Sequence, residues 1–540
     1  MTAASHASVY SAFCHSARRW PDRGILNVLP STAAAYTIAA GEISYKAMLE
    51  QVDHYAGRFE QAGYGAGMRV ALLLENRPVY FTLWLALNKL AVSVVPINPD
   101  LRAAELEYLI GHSEPALVIA TAERSAELQQ AAETAGINLR VITPDTDFPS
   151  PRENAVVAEK LQGEAREAAV LYTSGTTGSP KGCVLPNTYF LLAGHWYATV
   201  GGIAALSNDG ERMITPLPIF HMNAMAYSFM AMVTTGGCLT VLDRFHPRSW
   251  WSDVKASGAS CLHYLGVMPS ILMAADRSDS DKDHSVRFGF GAGVDPKLHA
   301  EFEQRFGFPL VEAWAMTETG AGAVVAASTH ERLIGESCLG TPAGDIEFKL
   351  IGESGDAVDT GQAGELLVRR RHENPRYGFF SHYYKNPAAT DEAWQGGWFH
   401  TGDIMRLDNH GNLFFVDRRK NVIRRSGENI AAVEVESVLM RHPKINAAGV
   451  AAVADEIRGD EVFACLVCDN PSPAVATEIT QWCLTQMAYY KAPGYIAFVD
   501  QLPVTATHKI QRADLKALAA TLLTDDATTN TTQLKKRQST

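Results

Sequence analysis

The feature that most constrains this chain is an alternation of short apolar runs with helical patterns over residues 43–120. Apolar and polar residues recur at helical spacing over Tyr45–Ala62 and again over residues 80–90. Residues 69–74, 93–97 and 116–120 are short apolar runs, the second of them β-branched and stopped by Pro96, Asn98 and Pro99. Strand–helix alternation of this kind predicts a mainly parallel sheet covered by helices. The pattern persists to about residue 330. From Gly335 onward, short strands and glycine-rich turns at residues 344–351, 364–370 and 412–416 predict a smaller β-rich subdomain. The polar run of residues 417–421 separates this part from a unit with predicted helices at 433–441 and 478–486 and strands at 450–453 and 463–467. Residues 422–520 therefore read as a compact α+β domain of ordinary size. Residues 521–540, rich in Thr, Asn, Gln and Lys, predict a disordered tail. The expected fold class is α/β, with a large domain over residues 1–416 and a small C-terminal one.

Composition narrows the function classes. The chain has 540 residues, with 47 Lys+Arg against 59 Asp+Glu and a net charge of −12. That balance argues against non-specific nucleic-acid or anionic-membrane binding. No apolar stretch approaches the ~20 residues that span a bilayer, so no integral membrane segment is expected. The N-terminus has no signal-peptide pattern, and eight scattered cysteines do not make a disulfide scaffold. Cys465 and Cys468 form a C-x-x-C inside an apolar run and read as buried thiols, not a zinc site. Together these features predict a cytoplasmic protein.

The strongest chemical signal is Tyr172-Thr-Ser-Gly-Thr-Thr-Gly-Ser-Pro-Lys-Gly182, which follows an apolar run. Backbone N–H groups and hydroxyls of such a loop can wrap a polyphosphate, and Lys181 adds a cation. The spacing is not that of a Walker A loop. The run resembles the phosphate loop of the adenylate-forming superfamily, which includes acyl- and aryl-CoA synthetases, peptide-synthetase adenylation domains and firefly-type luciferases. The resemblance extends over about residues 40–516. It implies that Thr173, Ser174, Gly175, Thr176, Thr177, Gly178 and Lys181 bind the phosphates of ATP, with Thr173 and Lys181 also serving catalysis.

Further segments fit the same family. Ala313-Trp-Ala-Met-Thr-Glu-Thr319 resembles its Y-G-M-T-E segment, with Trp314 in place of Tyr. The resemblance implies that Trp314 stacks on adenine, Thr317 contacts the α-phosphate and Glu318 holds Mg²⁺. Gly291, Ala292 and Gly293 match the segment beneath adenine and the acyl group. Gly397-Trp-Phe-His-Thr-Gly-Asp403 implies that Asp403 binds the ribose, with Arg418 beside it. Residues 417–421 become a hinge centred on Lys420, and the C-terminal domain becomes mobile. Ser426-Gly-Glu-Asn429 resembles the segment lying against the pantetheine tunnel, which implies CoA contacts at Arg424 and Gly427. Pro503-Val-Thr-Ala-Thr-His-Lys-Ile-Gln-Arg512 implies that Lys509 is the adenylation lysine, although His508 stands where the family has Gly.

His221 is the candidate gate near the acid's carboxylate; a structural histidine is the competing reading. Trp196, Met225, Ala292, Ala313, Met316 and Ala321 are implied pocket positions. Residues 425–436 further resemble ligases of the carnitine/crotonobetaine group. For such a cationic acid, Trp196, Trp314 and Glu312 are the candidate partners. The expected function is an ATP- and Mg²⁺-dependent acid–CoA ligase acting on a small or medium carboxylic acid, compatible with a homodimer. Two rivals remain. One is an adenylating enzyme that loads a carrier protein or oxidises its adenylate. The other is a degenerate homologue that binds nucleotide or acid as a sensor.

Overall fold

Helix Val79–Lys89 is buried at every position from 80 to 88, and helix Asn187–Thr199 buries nine of its thirteen residues. A helix that is apolar on all sides must lie inside. Their polar members are paired: Asn88 Nδ2 donates to Asn187 Oδ1 at 2.9 Å, and that oxygen also accepts from the Val9 amide. These helices share one continuous core with strands of two large sheets. The structure is a computed structural model describing residues 6–153, 155, 161–173, 180–265, 267–329, 331–418, 422–503 and 510–537.

The first sheet has seven strands, in the order His382–Tyr383, Lys181–Pro186, Glu167–Thr173, Ser93–Pro96, Arg69–Leu73, Leu117–Ala120 and Val141–Ile142. The second has eight: Val325–Ala326, Leu310–Trp314, Phe288–Ala292, Cys261–Leu265, Arg212–Thr215, Cys238–Val241, Gly24–Val28 and Gly41–Ser44. Both are parallel in their interiors; the eight-stranded sheet is antiparallel at both edges, the seven-stranded one only at its His382–Tyr383 end. This is the sheet that strand–helix alternation predicts, made twice. A five-stranded antiparallel sheet over Cys338–Gly340, Ile346–Ile351, Ala363–Arg370, Phe399–Leu407 and Leu413–Arg418 is the expected β-rich subdomain.

The C-terminal domain has its own apolar cores. Its sheet is built on the long hairpin Ile445–Asp455 and Gly459–Cys468. A short hairpin, Val422–Arg425 and Glu428–Ala431, projects from it. Ser426 and Gly427 both have positive φ, the backbone of a two-residue I′-type turn.

The tail departs from expectation. Helix Arg512–Leu522 runs past residue 520, and Thr529–Asn530 then adds an antiparallel strand to Tyr495–Phe498. Lys535 is buried in an ion pair with Glu461, whose other oxygen accepts from Arg425 Nε at 2.8 Å. Arg537 reaches Asp100 of the large domain at 3.0 Å. Polar composition was a poor guide here. Backbone pairing and a compensated buried charge order this segment, and neither leaves an apolar pattern.

Candidate active site

A cavity of about 780 Å³ opens at the carboxyl ends of the parallel strands Cys261–Leu265, Phe288–Ala292 and Leu310–Trp314. Ligand sites in open α/β sheets lie at such ends. Thr173 and Lys181 enter from the seven-stranded sheet as cross-strand partners flanking the phosphate loop. Residues 174–179 of that loop lie outside the described residues. An added Cβ at Gly182 would sit 3.1 Å from Val170, so any side chain there presses on the strand beside it.

Glu318 lines the cavity with Ala315, Met316 and Thr317. Its Oε1 accepts from Tyr383 Oη at 2.9 Å. Burial, then the charge of Glu318, pushes the Tyr383 phenol far above its usual range, so it remains a donor. The Lys181 ammonium lies 4.9 Å from the Tyr383 ring centroid. Tyr383 thus joins the phosphate-side lysine to the predicted metal carboxylate. Sequence reading missed it because it comes from a two-residue edge strand some 200 positions away in the chain. Among the described residues, no group of three or more His, Cys, Asp or Glu could hold a metal ion. A single carboxylate beside a phosphate loop does suit Mg²⁺, which binds through one or two carboxylates, substrate phosphates and water.

Trp314 lines the cavity, and its Nε1 donates to Asp403 Oδ2 at 2.8 Å. Asp403 lies behind the wall formed by Thr401 and Gly402, opposite Arg418 in strand register. The Arg418 side chain lies outside the described residues, as do residues 419–421 and Lys509. The indole therefore fixes the carboxylate expected to bind ribose.

Gly291 and Ala292 line the cavity, and Gly293 turns away from it at φ +77°. The Gly293 and Val294 amides donate to Glu312 at 3.0 and 3.1 Å, and Tyr264 Oη donates at 2.8 Å. Glu312 is thereby committed to bracing this turn and is not a partner for a cationic acid. Burial pushes its carboxyl above the usual range despite these bonds.

Among the predicted acid-pocket positions, Ala292, Ala313 and Met316 line the cavity. Trp196 lies behind the wall, edge-on to Tyr227 and Phe290. Met225 and Ala321 are buried in the core. Asn223, Tyr227 and Phe290, none of them predicted, line the wall instead.

The C-terminal domain closes the cavity with Gly427 and Asn429. A Cβ on Gly427 would stand 2.7 Å from Leu265 Cδ1, and its φ of +88° is a conformation that suits glycine, so both the close approach and the backbone favour glycine here. Arg424 does not line the cavity; its guanidinium lies 5.0 Å from the Phe415 ring centroid. His221 faces this domain too, with Nε2 3.6 Å from Glu428 Oε1. Burial alone would raise the Glu428 carboxyl; hydrogen bonding and charge from His221, then Lys491 and Arg537, hold it below the usual range. Deeper in the interface, Lys491 bridges Glu105 at 2.7 Å and Glu434 at 2.6 Å, all three buried.

A cavity at the ends of parallel strands, with a phosphate-loop frame on one side and a second domain across its mouth, defines a two-domain nucleotide-dependent enzyme. The chain belongs to the AMP-binding enzyme family, whose profile matches residues 13–378, and the AMP-binding enzyme C-terminal domain profile matches residues 434–509. It is an adenylate-forming ligase. It is 28% identical over 523 residues to a crotonobetaine/carnitine–CoA ligase of Salmonella arizonae, covering 93% of this chain and 99% of that one. It also superposes on o-succinylbenzoate CoA synthetase of Bacillus subtilis bound to a product analogue, OSB-NCoA. That match has TM-score 0.78 at 25% identity, over 94% of this chain and 98% of the other. Against the same enzyme with its acyl-adenylate intermediate the TM-score is 0.62 at 24% identity, over 94% and 97% of the two chains.

Proposed function

We propose that this protein is an acid–CoA ligase and that its two domains are arranged here for the second of two half-reactions. In the first, the carboxylate oxygen attacks the α-phosphorus of ATP, the bond to pyrophosphate breaks, and an acyl-adenylate forms. Thr173, Lys181 and residues 174–178 hold the phosphates, Thr317 contacts the α-phosphate, and Lys509 neutralises charge as it develops. Glu318 would hold Mg²⁺, which supplies charge neutralisation on the phosphates. Trp314 presents its face to adenine while fixing Asp403 for the ribose, with Arg418 alongside. In the second half-reaction the CoA thiol attacks the acyl carbonyl, AMP leaves, and a thioester forms. A rotation about residues 417–421 exchanges the Lys509 face of the C-terminal domain for the Gly427 face.

The observation that carries this reading is the contact of Gly427 with Leu265 at the cavity mouth. It puts a residue without a side chain on the cavity wall, on the side where a pantetheine arm would enter. The higher structural similarity to the synthetase bearing a CoA-type product analogue supports the same arrangement. Among the described residues no helix is long and apolar enough to cross a membrane, and we infer a cytoplasmic enzyme. The test is AMP and pyrophosphate release from ATP and Mg²⁺ against aliphatic, aryl and betaine-type acids, with and without CoA. Acid-dependent AMP release that requires CoA, with thioester product detected by mass, is expected. Pyrophosphate exchange indifferent to CoA would move the acceptor to a carrier protein.

A further inference from the structure

The segment Asn223–Phe229 is wound as a π-helix, a form that recurs at functional sites. Its winding brings Asn223 and Ser228 to one buried histidine. His263 Nδ1 lies 2.6 Å from Asn223 Oδ1 and 3.0 Å from Ser228 Oγ, and its Nε2 lies 3.0 Å from Tyr197 Oη. His263 is fully buried, and burial pulls its imidazole down to about 3, so the ring is neutral. A neutral imidazole has one N–H. Ser228 Oγ gives its single hydrogen to the Asn223 backbone carbonyl at 3.3 Å, so toward Nδ1 it can only accept. The ring hydrogen therefore sits on Nδ1, Asn223 turns its oxygen toward it, and Nε2 accepts from Tyr197.

This relay fixes the orientation of Asn223. Its oxygen is consumed by His263, and its Nδ2 group makes no hydrogen bond among the described residues, although the side chain lines the cavity. One turn on, Tyr227 lines the same cavity, and its buried hydroxyl has no partner among the described residues. Phe290, Met222 and Val324 add apolar surface to the same cavity. A wall of this kind takes an apolar or aromatic body and reads it through a few placed polar groups.

Resting on the ligase reading, we propose that the acid has an uncharged apolar or aryl body bearing an oxygen acceptor (hydroxyl, ether or carbonyl), and that Asn223 Nδ2 donates to that oxygen. An amide held with its N–H groups toward the ligand repels a trimethylammonium group, so acids of the carnitine type are poor substrates. Asn223 is thus a specificity-determining residue for the adenylation step.

The test uses the full-length enzyme, Mg-ATP and CoA with matched acids: cinnamate against 4-hydroxycinnamate, benzoate against its hydroxy and methoxy derivatives, octanoate against 8-hydroxyoctanoate, plus carnitine and crotonobetaine. An oxygen-bearing acid should exceed its parent at least tenfold in kcat/KM, because a site built to bond an oxygen rejects the analogue lacking it. In Asn223→Leu that ratio should collapse to within threefold. Equal or better use of every parent acid, preference for a trimethylammonium acid, or an unchanged ratio in Asn223→Leu each overturns the inference while leaving the ligase reading intact. The wild-type ratios decide even if the variant does not fold. No AMP from any acid overturns both.

Discussion

On the nucleotide side of the cavity, neighbouring groups are tied within one core: Trp314 to Asp403, Tyr383 to Glu318, Glu312 to the turn at Gly293. On the C-terminal side, the joint is a glycine contact and a set of polar pairs: Gly427 on Leu265, Lys491 to Glu105, His221 to Glu428 and Arg537 to Asp100. Under the proposed two-step reaction, the difference follows from what each wall must do. A nucleotide wall serves both half-reactions and gains from fixed geometry. A docking surface that must release gains from polar contacts, which water can replace when the domain turns away.

The largest effect should come from Gly427→Leu. The side chain meets Leu265 and must adopt φ +88°. Thioester formation from supplied acyl-adenylate should fall at least 100-fold, while ATP–pyrophosphate exchange stays within threefold. Equal losses in both steps would erase the distinction between the walls.

Glu105→Gln sharpens it. The variant keeps an acceptor for the Ala488 amide but removes the charge facing Lys491, which retains Glu434 in its own domain. Weakening a buried, charge-assisted contact by about 1.5–3 kcal/mol should slow the second step roughly 10- to 100-fold and spare the first. Trp314→Phe acts on the other wall. It removes the bond to Asp403 and should raise the KM for ATP about tenfold in exchange assays, without a selective loss in thioester formation.

Acidity should also separate the walls. Against the burial that would raise it, hydrogen bonding and charge from His221 hold the docked Glu428 carboxyl below its usual range, and undocking removes that partner. Docking therefore has this stabilisation in full above the ordinary carboxylate range and loses it as pH falls through the lowered value. The isolated second half-reaction should decline over that acid range, and Glu428→Gln should flatten the decline. The smallest effect, a few-fold loss confined to the second step, is expected of Arg537→Ala, which removes the pair with Asp100 at the docked edge and leaves the buried Lys535–Glu461 pair in place.

The phosphate-loop frame, the Ala313–Thr319 segment, Asp403 and the Gly427 turn were legible because each is a contiguous run whose chemistry survives in one dimension. Three features were not. Tyr383 reaches Glu318 across 65 positions, and His263 gathers Asn223 and Tyr197 from 40 and 66 positions away. His221 meets Glu428 only once the domains dock. Periodicity found the helices and strands because burial imposes it locally. Pairings across sheets and domains impose nothing local, and the ordered tail was misread for the same reason.

The most direct test locks the docked arrangement. Glu107 and Arg441 face each other across the interface at 3.5 Å. Replacing both with cysteine and joining them with a short bis-methanethiosulfonate reagent should abolish ATP–pyrophosphate exchange but retain thioester formation from supplied acyl-adenylate. Reduction should restore exchange, and the wild type treated alike controls for native thiols. Full exchange in the cross-linked enzyme would contradict the account, since adenylation would then proceed without the domain turning.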